Sequence, residues 1–184
     1  AADCVMTALY GLVILFLLPR TVIVRSDDFA YLEVTVRTIR THWPAISDWF
    51  EANNVLFSWS TAAAYWLTGN FYLASYGVLA AFAAGAFVLL NLLIIETGAV
   101  SAAFRRPLAF VVVFMPVYLN KSLDFVGVIP AVFFFLLALL FYVRQQWTAF
   151  FLAVAGAFLT RETGLMLLIL AGFTGGESGK TKTV

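Results

Sequence analysis

Residues 26–43 read SDDFAYLEVTVRTIRTHW, the most polar long stretch of an otherwise apolar chain. Phe29, Leu32, Val36, Ile39 and Trp43 recur at steps of three and four, the helical period. Glu33, Arg37 and Arg40 fall on another side, with Glu33 four residues before Arg37, the favourable order for a helical ion pair. An amphipathic helix that follows directly on an apolar run is expected to lie in the bilayer interface. Its first turn then holds the adjacent carboxylates of Asp27 and Asp28 at the boundary between water and lipid.

The run that precedes it, residues 4–24 (CVMTALYGLVILFLLPRTVIV), has about the 20 residues that a bilayer needs. Pro19 predicts a kink near its end, and Arg20 can snorkel to the headgroups. The whole chain agrees: 63% of its 184 residues are hydrophobic and 11% charged, where a soluble domain carries about 25% charge. Mean hydropathy is +0.97. The 19 Phe, 7 Tyr and 5 Trp suit a lipid-facing surface with interfacial anchors. A net charge of +1 gives a nucleic-acid partner no support. The single cysteine, Cys4, has no internal disulfide partner and reads as a small apolar residue. The first run reads as a retained span rather than a cleaved signal, and the chain as a piece of a longer protein.

Downstream, the polar region over residues 25–54 carries five acids, Asp27, Asp28, Glu33, Asp48 and Glu51. Residues 55–67 are apolar but short, which suits a half-buried or re-entrant helix. Residues 71–97 are long enough to span with tilt, and Ala80, Ala81, Ala83, Ala84 and Gly85 offer a neighbouring helix a close approach. Further spans are predicted over about 107–120, 125–143, 147–160 and 163–174, separated by Arg105–Arg106, by the 120–124 turn NKSLD, by Arg144–Gln145–Gln146 and by 160–163, TRET. Keeping 55–67 in the interface puts Arg105, Arg106, Arg144 and the Lys180/Lys182 tail inside, as the positive-inside rule favours. It puts Asp27, Asp28 and Asp124 together outside. The predicted fold is therefore all-α: a multi-pass transmembrane helical bundle in a cell membrane, with interfacial helices in an extracytoplasmic first loop over residues 25–70.

This order of features resembles the amino-terminal part of the GT-C membrane glycosyltransferases, such as the protein O-mannosyltransferases and aminoarabinose transferases. The likeness rests on a first span followed by an acidic pair and an interfacial helix, an acid in the next outside turn (YLNKSLDFVGVIP), and LTRETGLMLLIL at a later span boundary. It implies a polyprenyl-phosphate-linked sugar donor in the bilayer and an acceptor on the extracytoplasmic face. By position it implies catalytic roles for Asp27 or Asp28 and for Asp124. A departure is the stretch 51–56, EANNVL, where many bacterial members have a His–Pro–Pro–Leu-like element.

Simpler readings stand beside these. Ser26 is a good N-cap, and acids in a first turn complement the helix dipole. As a functional group, either carboxylate could serve as a general base or hold a divalent cation against the leaving phosphate. Lys121 can pair with Asp124. Arg37, Arg40 and Arg161 are candidates to hold a substrate phosphate, while snorkelling explains Arg37 and Arg40 and helix capping explains Arg161 with Glu162. His42 has no second histidine or cysteine to make a zinc site. The tail GGESGKTKTV lacks the first glycine of a phosphate-binding loop, since that position is Thr174. Two other functions stay open: a transporter fragment, or a non-catalytic membrane subunit.

Overall fold

The computed structural model describes residues 28–46, 55–101, 103–105, 107–108, 128–161, 164 and 166–175, with isolated residues 5, 8, 9, 12 and 111; for Asp28 it describes the backbone. The predicted spans over 4–24 and 107–120 lie almost wholly outside the described residues. Among these residues the chain is all-α. The helices are α1 (Asp28–Thr41), α2 (Val55–Thr68), α3 (Phe71–Thr97), α4 (Val128–Val143), α5 (Trp147–Thr160) and α6 (Met166–Gly175).

The boundaries of α3 follow from its flanks. The Asn70 side chain accepts a hydrogen bond from the Leu73 N–H at 3.1 Å, capping a helix whose first donors have no internal partner. Gly98 ends it in the left-handed region, φ 63°, and its N–H reaches the Ile95 carbonyl at 3.3 Å. With 27 residues α3 is about 40 Å long, and its most apolar window has a mean hydropathy of 2.6. It is the one helix among the described residues that is long and apolar enough to cross a membrane. Leu73, Val88 and Ile95 stay exposed on it. Helices α4 and α5, with 16 and 14 residues, are apolar but measure only about 24 and 21 Å. Pro130 lies in the first turn of α4, where its missing N–H costs no helical bond.

Helices α2, α3, α4 and α5 pack in succession, and α5 also touches α2, so the four close a ring. Helix α1 lies against α2, and α6 touches α4. The α2–α3 turn is tight: Gly69 has φ 66°, and its N–H bonds to the Tyr65 carbonyl at 2.8 Å. The α4–α5 turn closes with the Gln146 N–H on the Phe141 carbonyl at 2.9 Å and the Gln145 N–H on Tyr142 at 3.0 Å. This is the Schellman pattern, with Gln145 (φ 58°) where glycine is usual.

Two adjacent aromatics join the ring. Phe133 fills the space over Gly85 of α3, where a Cβ would come within 2.6 Å of its ring; Phe134 fills that over Gly156 of α5, at 2.5 Å. The small-residue stretch of α3 does bring a neighbour close, at Gly85, while Ala81 of the same stretch is exposed. Phe82 meets Phe133 with ring centroids 5.3 Å apart, Leu89 and Leu93 pack on Leu140, and Glu96 pairs with Arg144. Rising numbers on α3 meet rising numbers on α4, so the two helices run in the same direction.

Candidate functional site

Helix α1 turns out to have three sides rather than two. The side packed on α2 carries Tyr31, Val34, Thr35 and Thr38, of which the last three are buried. The apolar strip read from the sequence is adjacent to it and mostly open: Phe29 and Trp43 are exposed, and Leu32, Val36 and Ile39 half-buried. Glu33, Arg37 and Arg40 form a third, exposed strip. The packing side escaped notice because it is partly polar. Thr35 satisfies its hydroxyl on the Tyr31 carbonyl (2.7 Å), and Ser58 of α2 donates to the same oxygen (3.0 Å). Thr38 accepts the Ala45 N–H at 3.1 Å, and the Trp59 indole N–H donates to the Ala45 carbonyl at 2.8 Å. Both polar groups of Ala45 are thus held, which fixes the chain where it leaves α1. His42 makes that exit with φ 53° and stacks on Trp66, centroids 5.8 Å apart.

The parallel run of α3 and α4 sets the heights of the candidate groups. Phe133 packs at Phe82 and Gly85, so Val128, about 7.5 Å earlier on α4, lies at the height of residues 77–80 of α3. Tyr31, Leu32 and Phe57 pack on Tyr76 and Leu79 at that same height. The first turn of α1 and the start of α4 therefore share one level of the ring. Arg161 joins them from α5. Its backbone caps that helix, N–H to the Ala157 carbonyl at 2.8 Å, and its carbonyl accepts the Gly164 N–H at 3.0 Å. Gly164 is pressed so closely on α5 that a Cβ would lie 2.6 Å from the backbone of Ala157 and Phe158.

Of the residues singled out in the sequence, Asp27 and Asp124 lie outside the described residues, and Asp28 is seen as the first residue of α1. Arg37 sends one guanidinium N–H toward the Ile46 carbonyl at 3.4 Å, a helix-exit contact. Arg40 and Arg161 are exposed and pair with no group among the described residues. Arg161 lines a pocket of about 220 Å³ together with residues of α4, Ala157 and Gly164. Sequence reading missed that pocket, since no pattern in either helix announces it. Among the described residues no three His, Cys, Asp or Glu side chains gather as a metal site would require.

The polar groups of α2, α3 and α5 are otherwise consumed internally. Ser60, Thr68, Ser75, Asn91, Thr97 and Thr160 donate to carbonyls one turn back in their own helices. That arrangement lets polar side chains sit among apolar neighbours. Thr61 Oγ1 is buried without a partner. Comparison with known proteins returned no matching family model, no matching curated protein and no matching solved structure.

Proposed function

We propose that this chain is the membrane-embedded part of a GT-C-type glycosyltransferase, taking a sugar from a polyprenyl-phosphate donor to an acceptor on the extracytoplasmic face. The reading rests on the resemblance in feature order. The observation that carries it further is the shared height of the first turn of α1 and the start of α4. Asp28 opens α1 with Asp27 before it in the sequence, and Asp124 precedes Val128 by four residues. In a multi-pass arrangement with both segments outside, this shared height is the reason for assigning the acids before α1 and before α4 to one site.

The chemistry asked of these carboxylates is modest. A carboxylate takes the proton of the acceptor hydroxyl as its oxygen bonds to the anomeric carbon. The bond from that carbon to the phosphate oxygen breaks, and the polyprenyl phosphate leaves with the electron pair. A donor held in lipid needs such a site at the bilayer boundary, and the open apolar strip of α1 beside its charged strip suits that position. The central turns of α2, α3, α4 and α5 carry no charged residue; Glu96, Arg144 and Arg161 stand at helix ends. A transporter site at mid-membrane depth would call for the opposite placement.

The test is sugar transfer from a polyprenyl-phosphate donor by membranes containing the intact protein. Asp27→Asn, Asp28→Asn and Asp124→Asn are compared at matched expression. Loss of transfer in Asp124→Asn and in at least one of the other two is expected. Full transfer in all three variants rejects the assignment.

A further inference from the structure

The pocket at Arg161 has a shape and a chemistry of its own. One wall is the first two turns of α4, where Val128, Ala131, Val132 and Phe135 succeed one another over about 10 Å. Ala157 of α5 and Gly164 line it from outside α4. Arg161 is the one charged residue among those that line it. The slot opens on an apolar surface, for Phe135 at its edge is exposed, as are Phe158 and Leu159 beside Ala157. An apolar slot with one cation among its described lining residues complements a hydrocarbon chain that ends in an anion.

We infer that this slot holds one acyl chain of an anionic phospholipid from the surrounding bilayer, with the headgroup phosphate against the Arg161 guanidinium. The exposed apolar wall gives a bilayer lipid lateral access, and the slot is long enough for one stretch of chain. The guanidinium offers a fork of N–H donors that matches phosphate oxygens. Gly164 holds the turn closely against α5, and its N–H bonds to the Arg161 carbonyl, which fixes the backbone that carries the cation. The inference rests on the membrane-embedded reading but not on sugar transfer.

The test uses the intact protein, purified in neutral detergent and delipidated, with phosphatidylglycerol and phosphatidylcholine as probes. Retained lipid is counted by native mass spectrometry, and the thermal midpoint is followed on titration. Wild type is expected to retain one phosphatidylglycerol and to gain stability with it, well ahead of phosphatidylcholine. Arg161→Gln should weaken that binding about tenfold, the loss of a charge-assisted contact. Ala131→Phe, which fills the slot, should abolish it; Val132→Phe fills it from the next position if Ala131→Phe disturbs folding. Equal retention of both lipids, or unchanged selectivity in Arg161→Gln, overturns the proposal. So does displacement of bound phosphatidylglycerol by equimolar farnesyl phosphate, which assigns the slot to the prenyl donor. Transfer activity is measured separately, so either idea can fail alone.

Discussion

Glu96 and Arg144 meet across the ends of α3 and α4, with Nη2 of the arginine 2.7 Å and Nε 3.2 Å from the same carboxylate oxygen. Both side chains are about a third exposed, at 35% and 37%, so the pair itself contributes at most about 1 kcal/mol. Its value is as a marker of direction, since each residue lies at the carboxy-terminal end of its helix or just beyond. In a Cys4→Ser background, Glu96→Cys with Arg144→Cys should be joined by a short bis-methanethiosulfonate, whose reach stands in for the two long side chains. Tyr72→Cys with Arg144→Cys should not. Cross-linking of the second pair in place of the first would mean that the helices run in opposite directions.

The glycine at 156 is a prediction about space. Gly156→Ala places a methyl group 2.5 Å from the Phe134 ring, so α4 and α5 must separate or the ring must turn. Overpacking of this kind costs about 1–3 kcal/mol. Phe134→Leu in the same chain should restore part of the loss. Unfolding in mixed micelles, followed by tryptophan fluorescence, checks both variants; equal stability of Gly156→Ala and wild type would contradict the contact.

The three-sided α1 can be read by spin labels. Nitroxides at Phe29 and Trp43 should be accessible to oxygen, which partitions into lipid, and those at Glu33 and Arg40 to a water-soluble nickel chelate. The same accessibility at all four positions would remove the interfacial placement of α1.

Trp59 tests how firmly the exit of α1 is held. Trp59→Phe keeps most of the ring but leaves the Ala45 carbonyl without its indole donor, a loss of about 1–3 kcal/mol for a buried acceptor. Hydrogen exchange at the Ala45 amide should quicken in step. A silent substitution would mean that Thr38 alone fixes the turn.

At the α4–α5 turn the direction reverses. Gln145 has a left-handed backbone that costs a residue with a Cβ about 1–2 kcal/mol. Gln145→Gly should raise stability by up to about 1 kcal/mol, less whatever its side-chain bond to the Tyr142 carbonyl contributes. A fall in the unfolding midpoint would count against the Schellman closure.

Sequence alone made the limits of α3 plain, because an uninterrupted apolar run ends in Asn70 on one side and Gly98 on the other. The helical period of α1 was equally legible, but its packing side was not. Thr35 and Thr38 read as polar residues, and only the carbonyl of Tyr31 and the amide of Ala45 explain why they are buried. The pairing of Phe133 with Gly85 and Phe134 with Gly156 joins residues from distant parts of the chain, so no local pattern records it. The same is true of the slot at Arg161, which exists only between two helices. Asp27 and Asp124 lie outside the described residues.

The common direction of α3 and α4 also constrains the order in which the molecule assembles. The α2–α3 and α4–α5 pairs are joined by turns of a few residues and can close as soon as each second helix is made. Phe133 cannot reach Gly85 until residues 98–127 have been synthesised. Docking of the two hairpins is then the late, slow event of biogenesis. Until it happens, the bare glycine notch of α3 is open to any other helix in the membrane.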